Sequence, residues 1–205
     1  MLHFINMIKP ISGGGQDIGT TIFNTNPQMA SSLGKAPFAY GYSYSWATWI
    51  YYSNLFPDYP CQIPYIKLSL NQLNTSPFNM VGQKIFMSHT PLQNWQNTSV
   101  NVSHVGSTFI TDRVEVKSFN IVYDDSQEGA WVEFYFDTPF IYNGVDSICI
   151  DWENRNGGFE YGGPRFNVSI VPYSVRYKRD DSNYPTGNCN LDDERPSIAI
   201  HFETI

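Results

Sequence analysis

The chain has 205 residues, enough for one domain with a sizeable core, and 41% of them are hydrophobic. Only 15% are charged, while 16% are aromatic, which excludes disorder by composition and favours strands over helices. The net charge of −7 and the absence of any clustered cations exclude a nucleic-acid binder, and no run of about 20 apolar residues is present to insert into a membrane.

Residues 1–17 read as an N-terminal arm. Leu2, Phe4, Ile5 and Ile8 are apolar, and Pro10 and the glycines at 13–15 follow as a hinge. The arm is either an anchor that docks on a neighbouring subunit, a tail, or a strand folded onto its own domain. His3, Asn6 and Lys9 interrupt the apolar stretch and no small-residue cleavage site follows. The expectation is therefore a protein made in a cytoplasm without a signal peptide.

Residues 18–205 read as a single domain of short strands separated by Pro, Gly, Asn and Asp. "GTTIFN" opens it. "PFAYGYSYSWATWIYY" is one long strand or a strand broken at Gly41; Tyr40, Tyr42, Tyr44 and Trp46 share one parity and form an aromatic ladder. Such a ladder is core and cross-strand packing, or a face that contacts a glycan or a partner. In "YIKLSL" the residues Ile66, Leu68 and Leu70 face one way; "QKIFMSHT" and "DRVEVKSFNIVY" follow. "AWVEFYFD" puts Val132, Phe134 and Phe136 on one face and Trp131, Glu133 and Tyr135 on the other.

"DTPFIYNGVDSICIDWEN" reads as a hairpin turned by Asn143-Gly144, with Phe140 and Ile148 in the core and Asp151 at a loop entrance. "FNVSIVPY", "SVRYK" and "SIAIHFE" complete the strands; the last buries Ile198, Ile200 and Phe202 and turns His201 toward solvent. Many short alternating strands without a convincing amphipathic helix predict an all-β antiparallel sandwich, jelly-roll-like, with long polar loops near 71–82, 90–108 and 153–165.

Candidate chemistry is sparse. There is no G-x-S-x-G elbow, no phosphate-binding glycine loop and no C-x-x-C. His3, His89, His104 and His201 are scattered. Glu133 and Asp151, with Glu115, could pair across a glycosidic bond if the strands bring them together; isolated strand carboxylates are otherwise surface charges. The loop 180–194 gathers Asp180, Asp181, Asp192, Asp193 and Glu194, which is a calcium cluster or a solvated acidic loop. Cys61 and Cys189 lie in expected loops and could bridge, but a cytoplasmic origin favours free thiols; Cys149 lies in a strand. No catalytic, cofactor or metal residue is assigned.

The order of "YGYSYSWATWIYYSNLF", "IPYIKLSL", "QKIFMSHT", Trp95, "FNIVYDD" and "WVEFYFDTPFIYNGVDSICIDWENRNG" resembles a β-sandwich module. That module recurs in secreted and surface proteins of bacteria with type IX secretion and in structural proteins of their phages. "TPFIYNG" is the most specific piece, and the likeness spans about residues 38–157. The resemblance implies adhesion or assembly without catalytic residues. Without an export signal, the expectation is a non-enzymatic virion protein (capsid decoration, fibre or tail component). Its partners would be other virion proteins and copies of itself, and host glycans through Tyr40, Tyr42, Tyr44 and Trp46. A carbohydrate-binding or adhesion module is the alternative.

Overall fold

The computed structural model describes residues 15–23, 28–29, 37, 41–72, 77–96, 110–158 and 163–205. They contain eleven strands and two short 3-10 turns. One sheet, here sheet A, has the order β1 (Asp17–Phe23), β11 (Ile198–Glu203), β4 (Cys61–Gln72), β7 (Trp131–Tyr142). Sheet B runs from β9 (Arg165–Asp180) through β3 (Tyr44–Tyr51), β8 (Ser147–Asn154) and β5 (Phe78–Thr90) to β6 (Thr111–Tyr123). The short β2 (Gln28–Met29) and β10 (Asn190–Pro196) extend it beyond β9.

Every pairing is antiparallel, and the sheets join at one corner where Leu70 and Gln72 of β4 meet Phe166 and Arg165 of β9. Successive strands pass repeatedly from one sheet to the other, which gives the jelly-roll-like antiparallel sandwich that the alternation predicts. The inner faces are the expected ones. Ile66, Leu68 and Leu70, then Val132, Phe134 and Phe136, then Ile198, Ile200 and Phe202 all lie in one core with Trp49, Ile150 and Trp152. Among the described residues no helix is long and apolar enough to cross a membrane.

Several expectations change. Asp17 is already in β1, paired with Glu203, and the Gln16 N–H donates to Thr204 Oγ1. The folded domain therefore includes 15–17, and Leu2, Phe4, Ile5 and Ile8 lie outside the described residues. "FNVSIVPY" and "SVRYK" form one strand, β9, bent at Tyr173, whose φ is 53°. "NLDDERP", read as part of an acidic loop, is a strand, because its backbone completes the edge of β9 whatever its side chains do.

The Asn143-Gly144 turn is an arch rather than a hairpin. β7 pairs with β4 in sheet A, while β8 pairs with β3 and β5 in sheet B. The four residues between them carry the chain across the sandwich. Asn143 Oδ1 accepts from the Val145 and Asp146 N–H groups, an Asx turn that tightens the crossing. The Asn143 N–H donates to His89 Nε2 at 3.0 Å, so His89 carries its proton on Nδ1, 2.5 Å from Asp112 Oδ2. Phe140 and Ile148 flank the arch in the core, as expected.

Gly144 has two reasons to be glycine. Its φ is +80°, and a Cβ would meet the Tyr59 backbone at 2.5 Å. Gly129 has a similar φ of +73° with nothing within 4 Å. Gly144→Ala is expected to cost more than the ~1 kcal/mol of a strained φ alone, and Gly129→Ala about that amount. Urea midpoints of the two variants check this; equal losses would remove the clash from the account.

Candidate functional site

β8 is buried along its whole length, on both faces. Its inner face, Ile148, Ile150 and Trp152, packs into the core. Its outer face carries Ser147, Cys149, Asp151 and Glu153, the wetter face of the sequence pattern. Strand register sets Thr48 of β3 and Phe86 of β5 on either side of Asp151, so the three share this outer face.

Asp151 and Glu153 are each 1% exposed. Burying two carboxylates costs several kcal/mol unless they are paired. Arg113, arriving from β6, supplies the pairing. Its Nε donates to Asp151 Oδ2 and its Nη2 to Glu153 Oε1, both at 2.7 Å. The same guanidinium lies 3.5 Å from the centre of the Phe86 ring. The Thr48 hydroxyl donates to the other Asp151 oxygen, and Arg155 Nε donates to Glu153 Oε2 at 2.7 Å. Burial works against the charge of Arg113, but Asp151 and then Glu153 outweigh it and hold its pKa above the ordinary value.

The segment between β9 and β10 covers this face. The Trp46 indole N–H donates to the Pro185 carbonyl at 3.0 Å, and Arg155 lies 3.8 Å from the Tyr184 ring centre. Desolvation, with Glu153 beside it, pushes the Tyr184 phenol well above its usual range. Further along the same face, Ile50, Trp95 and Cys149 form a small second core. Arg176, 2% exposed, lies 4.2 Å from the Trp95 ring centre.

Chemically, this is a neutralised charge cluster. All four oxygens of Asp151 and Glu153 accept from a named donor, so each carboxylate is held in place by its partners. Asp151 is mid-strand rather than at a loop entrance. Glu133 belongs to the other side of the sandwich, on the outer face of sheet A, where Lys67 pairs with it at 2.5 Å. Glu115 pairs with Lys84 at 2.7 Å. The Glu133–Asp151 pair therefore does not form, because the arch places β7 and β8 in different sheets.

The aromatic ladder divides. Tyr40 lies outside the described residues. Tyr42 is half-buried with the Arg179 guanidinium 4.4 Å from its ring centre, and Tyr44 is half-buried at the start of β3. Trp46 is 0% exposed beneath the covering segment, so its ring is closed to any outside ligand. His201, expected in solvent, is buried on the outer face of sheet A. It stacks on Tyr65 at 4.5 Å and 12°, and its Nδ1 lies 3.0 Å from Thr20 Oγ1. Tyr135 adjoins Tyr65 at 4.9 Å. This Tyr65–Tyr135–His201 group needed the register of three strands and had no signal in any one segment.

In the acidic stretch the carboxylates mostly cap backbone. Asp180 Oδ1 accepts from the Ser182 and Asn183 N–H groups, which hold its pKa below the ordinary value. Asp193 Oδ1 accepts from the Tyr173 N–H and Asp192 Oδ1 from the Glu194 N–H. Among the described residues no three His, Cys, Asp or Glu side chains converge on a point that could hold a metal. Cys61, Cys149 and Cys189 are all free and buried, and Cys61 is in β4 rather than a loop.

No family model matches the chain, and neither a curated protein nor a solved structure matches it.

Burial raises all three thiol pKa values, that of Cys61 from 9.0 to about 11. The folded state thus holds these protons more tightly than the unfolded state. Their contribution to stability is full below pH 9 and is lost as the pH rises toward 11 at Cys61. A thiol-specific reagent at pH 8 is expected to find none of the three cysteines in the native protein and all three in denaturant. Rapid native labelling would contradict the burial described.

Proposed function

We propose that the protein is a non-enzymatic structural subunit of a phage-like virion that acts by protein–protein assembly. The observation that carries this reading is the state of the charged face of sheet B. The acids that could have done chemistry are consumed by Arg113, Arg155 and Thr48 and closed over, so the cluster serves to fix the scaffold. Some apolar side chains are also left in solvent: Ile22, Tyr59, Ile141, Val145 and Ile205 are each at least 46% exposed. Apolar side chains in water are stabilised by a partner surface, which suits an assembly protein. The resemblance to the sandwich module of surface and phage structural proteins supports the virion as the setting.

A second reading, carbohydrate contact, rests on the half-buried Tyr42 and Tyr44 and on the Tyr65–Tyr135 pair; Trp46 no longer contributes to it. A glycan array separates the two, because an assembly subunit needs no glycan signal.

The assembly reading predicts a defined oligomer for the full chain and a monomer for a chain beginning at Gly15. Native mass measures both. Monomers in both cases would remove the arm and the assembly role together.

A further inference from the structure

Arg176 shares the outer face of sheet B with the Arg113 clamp but takes no part in it. It lies on β9 opposite Thr48 of β3 and Leu191 of β10, and it is 2% exposed. The buried acids of this face are engaged elsewhere, Asp151 by Arg113 and Glu153 by Arg113 and Arg155. The Thr48 hydroxyl donates to Asp151. Among the described residues no acceptor meets Arg176 Nε or Nη2. These two N–H groups lie on one edge of the guanidinium and point the same way. Ser174, two residues earlier on the same face of β9, is fully buried, and its hydroxyl also meets no partner among the described residues.

The surroundings are apolar. The guanidinium carbon is 4.2 Å from the Trp95 ring centre and 5.8 Å from that of Trp46. The Trp95 backbone N–H donates to the Tyr173 carbonyl at 2.9 Å, which fixes this residue beside β9. Leu191 packs against Ile50, Trp95 and Cys149. Cys149 and Cys189 both feel the positive charge of Arg176, but desolvation outweighs it and both stay protonated at neutral pH. Neither thiol therefore balances the charge.

A guanidinium keeps its proton even here, and burying it unpaired is strongly unfavourable. Contact with two indoles returns part of that cost. Water can accept from the N–H groups but brings no charge, whereas an anion brings both. We propose that Arg176 and Ser174 form a buried binding site for a small monovalent anion, chloride in ordinary solution. Arg176 Nε and Nη2 donate to the ion as a fork, and the Ser174 hydroxyl adds a third donor. One negative charge balances one guanidinium, and a site closed by two indoles favours a small ion over a bulky one. The bound ion ties β9 to Trp95 and to the segment that roofs sheet B. This site stands apart from the assembly reading and survives its failure.

Unfolding of the full chain in urea tests the site, at constant ionic strength, as chloride replaces gluconate, an anion too bulky to enter. An anion at ten times its dissociation constant multiplies the folded-to-unfolded ratio about elevenfold. The expected result is a saturable rise of about that size in the unaltered chain and none in Arg176→Met. Ser174→Ala keeps the guanidinium and is expected to need several-fold more chloride for half the effect. Equal stability of the unaltered chain in chloride and gluconate would overturn the site. So would a saturable chloride effect retained in folded Arg176→Met. If that variant does not fold, an unchanged chloride requirement in Ser174→Ala overturns the site and a raised one supports it.

Discussion

The clamp of Arg113 on Asp151 and Glu153 is the interaction on which the rest of the sandwich depends. β8 lies mid-sheet between β3 and β5, packed against the core on one side and roofed by the segment between β9 and β10 on the other. A strand so placed ordinarily carries apolar residues on both faces. Here one face carries two acids, and it can be roofed only because guanidinium groups and the Thr48 hydroxyl satisfy them. One guanidinium reaches across from β6 and stacks on Phe86 as it does so, which ties β5, β6 and β8 into one unit. A network of this kind is more valuable for specifying register than for adding stability, since an apolar replacement of all its members could be as stable. Removing one member alone is the damaging change.

The arch at Asn143-Gly144 is the second constraint, and it governs the placement of every candidate group. It sends β7 and β8 to opposite sheets and so parts Glu133 from Asp151. His89, held between Asp112 and the Asn143 N–H, fixes the arch to β5. The close approach of Gly144 to Tyr59 draws the turn before β4 against it and leaves Tyr59 and Val145 side by side at the surface.

Much of the fold was legible in the sequence. Period-two patterns placed Ile66, Leu68, Leu70, Val132, Phe134, Phe136, Ile198, Ile200 and Phe202 in the core, because a side chain's parity along a strand is a local property. What alternation cannot express is which sheet a strand joins or what lies over its second face. Asn-Gly between two strands signals a tight turn but not whether the chain pairs with itself or crosses over, so the arch looked like a hairpin. His201 was read as outward-facing, which is right, and as solvated, which is wrong, because Tyr65 stacks on it. The aromatic ladder read as core packing or as a contact face, and Trp46 is buried beneath the segment between β9 and β10. The Arg113 clamp needed the register of β6 against β5 and β8, bulges included, and no pattern in "DRVEVKSF" announced it. β10 was hidden by its charges, since an edge strand is defined by backbone pairing.

A sandwich whose two buried carboxylates are held by arginines is the physical content of the account. The most direct test is a double-mutant cycle between Arg113→Met and Asp151→Asn, read as unfolding free energy in urea. The account predicts that each single change is strongly destabilising and that the two couple by roughly 1.5–3 kcal/mol, because each leaves the other's charge buried and unpaired. Additive effects, with a coupling within about 0.5 kcal/mol of zero, would mean that the clamp does not hold the face together.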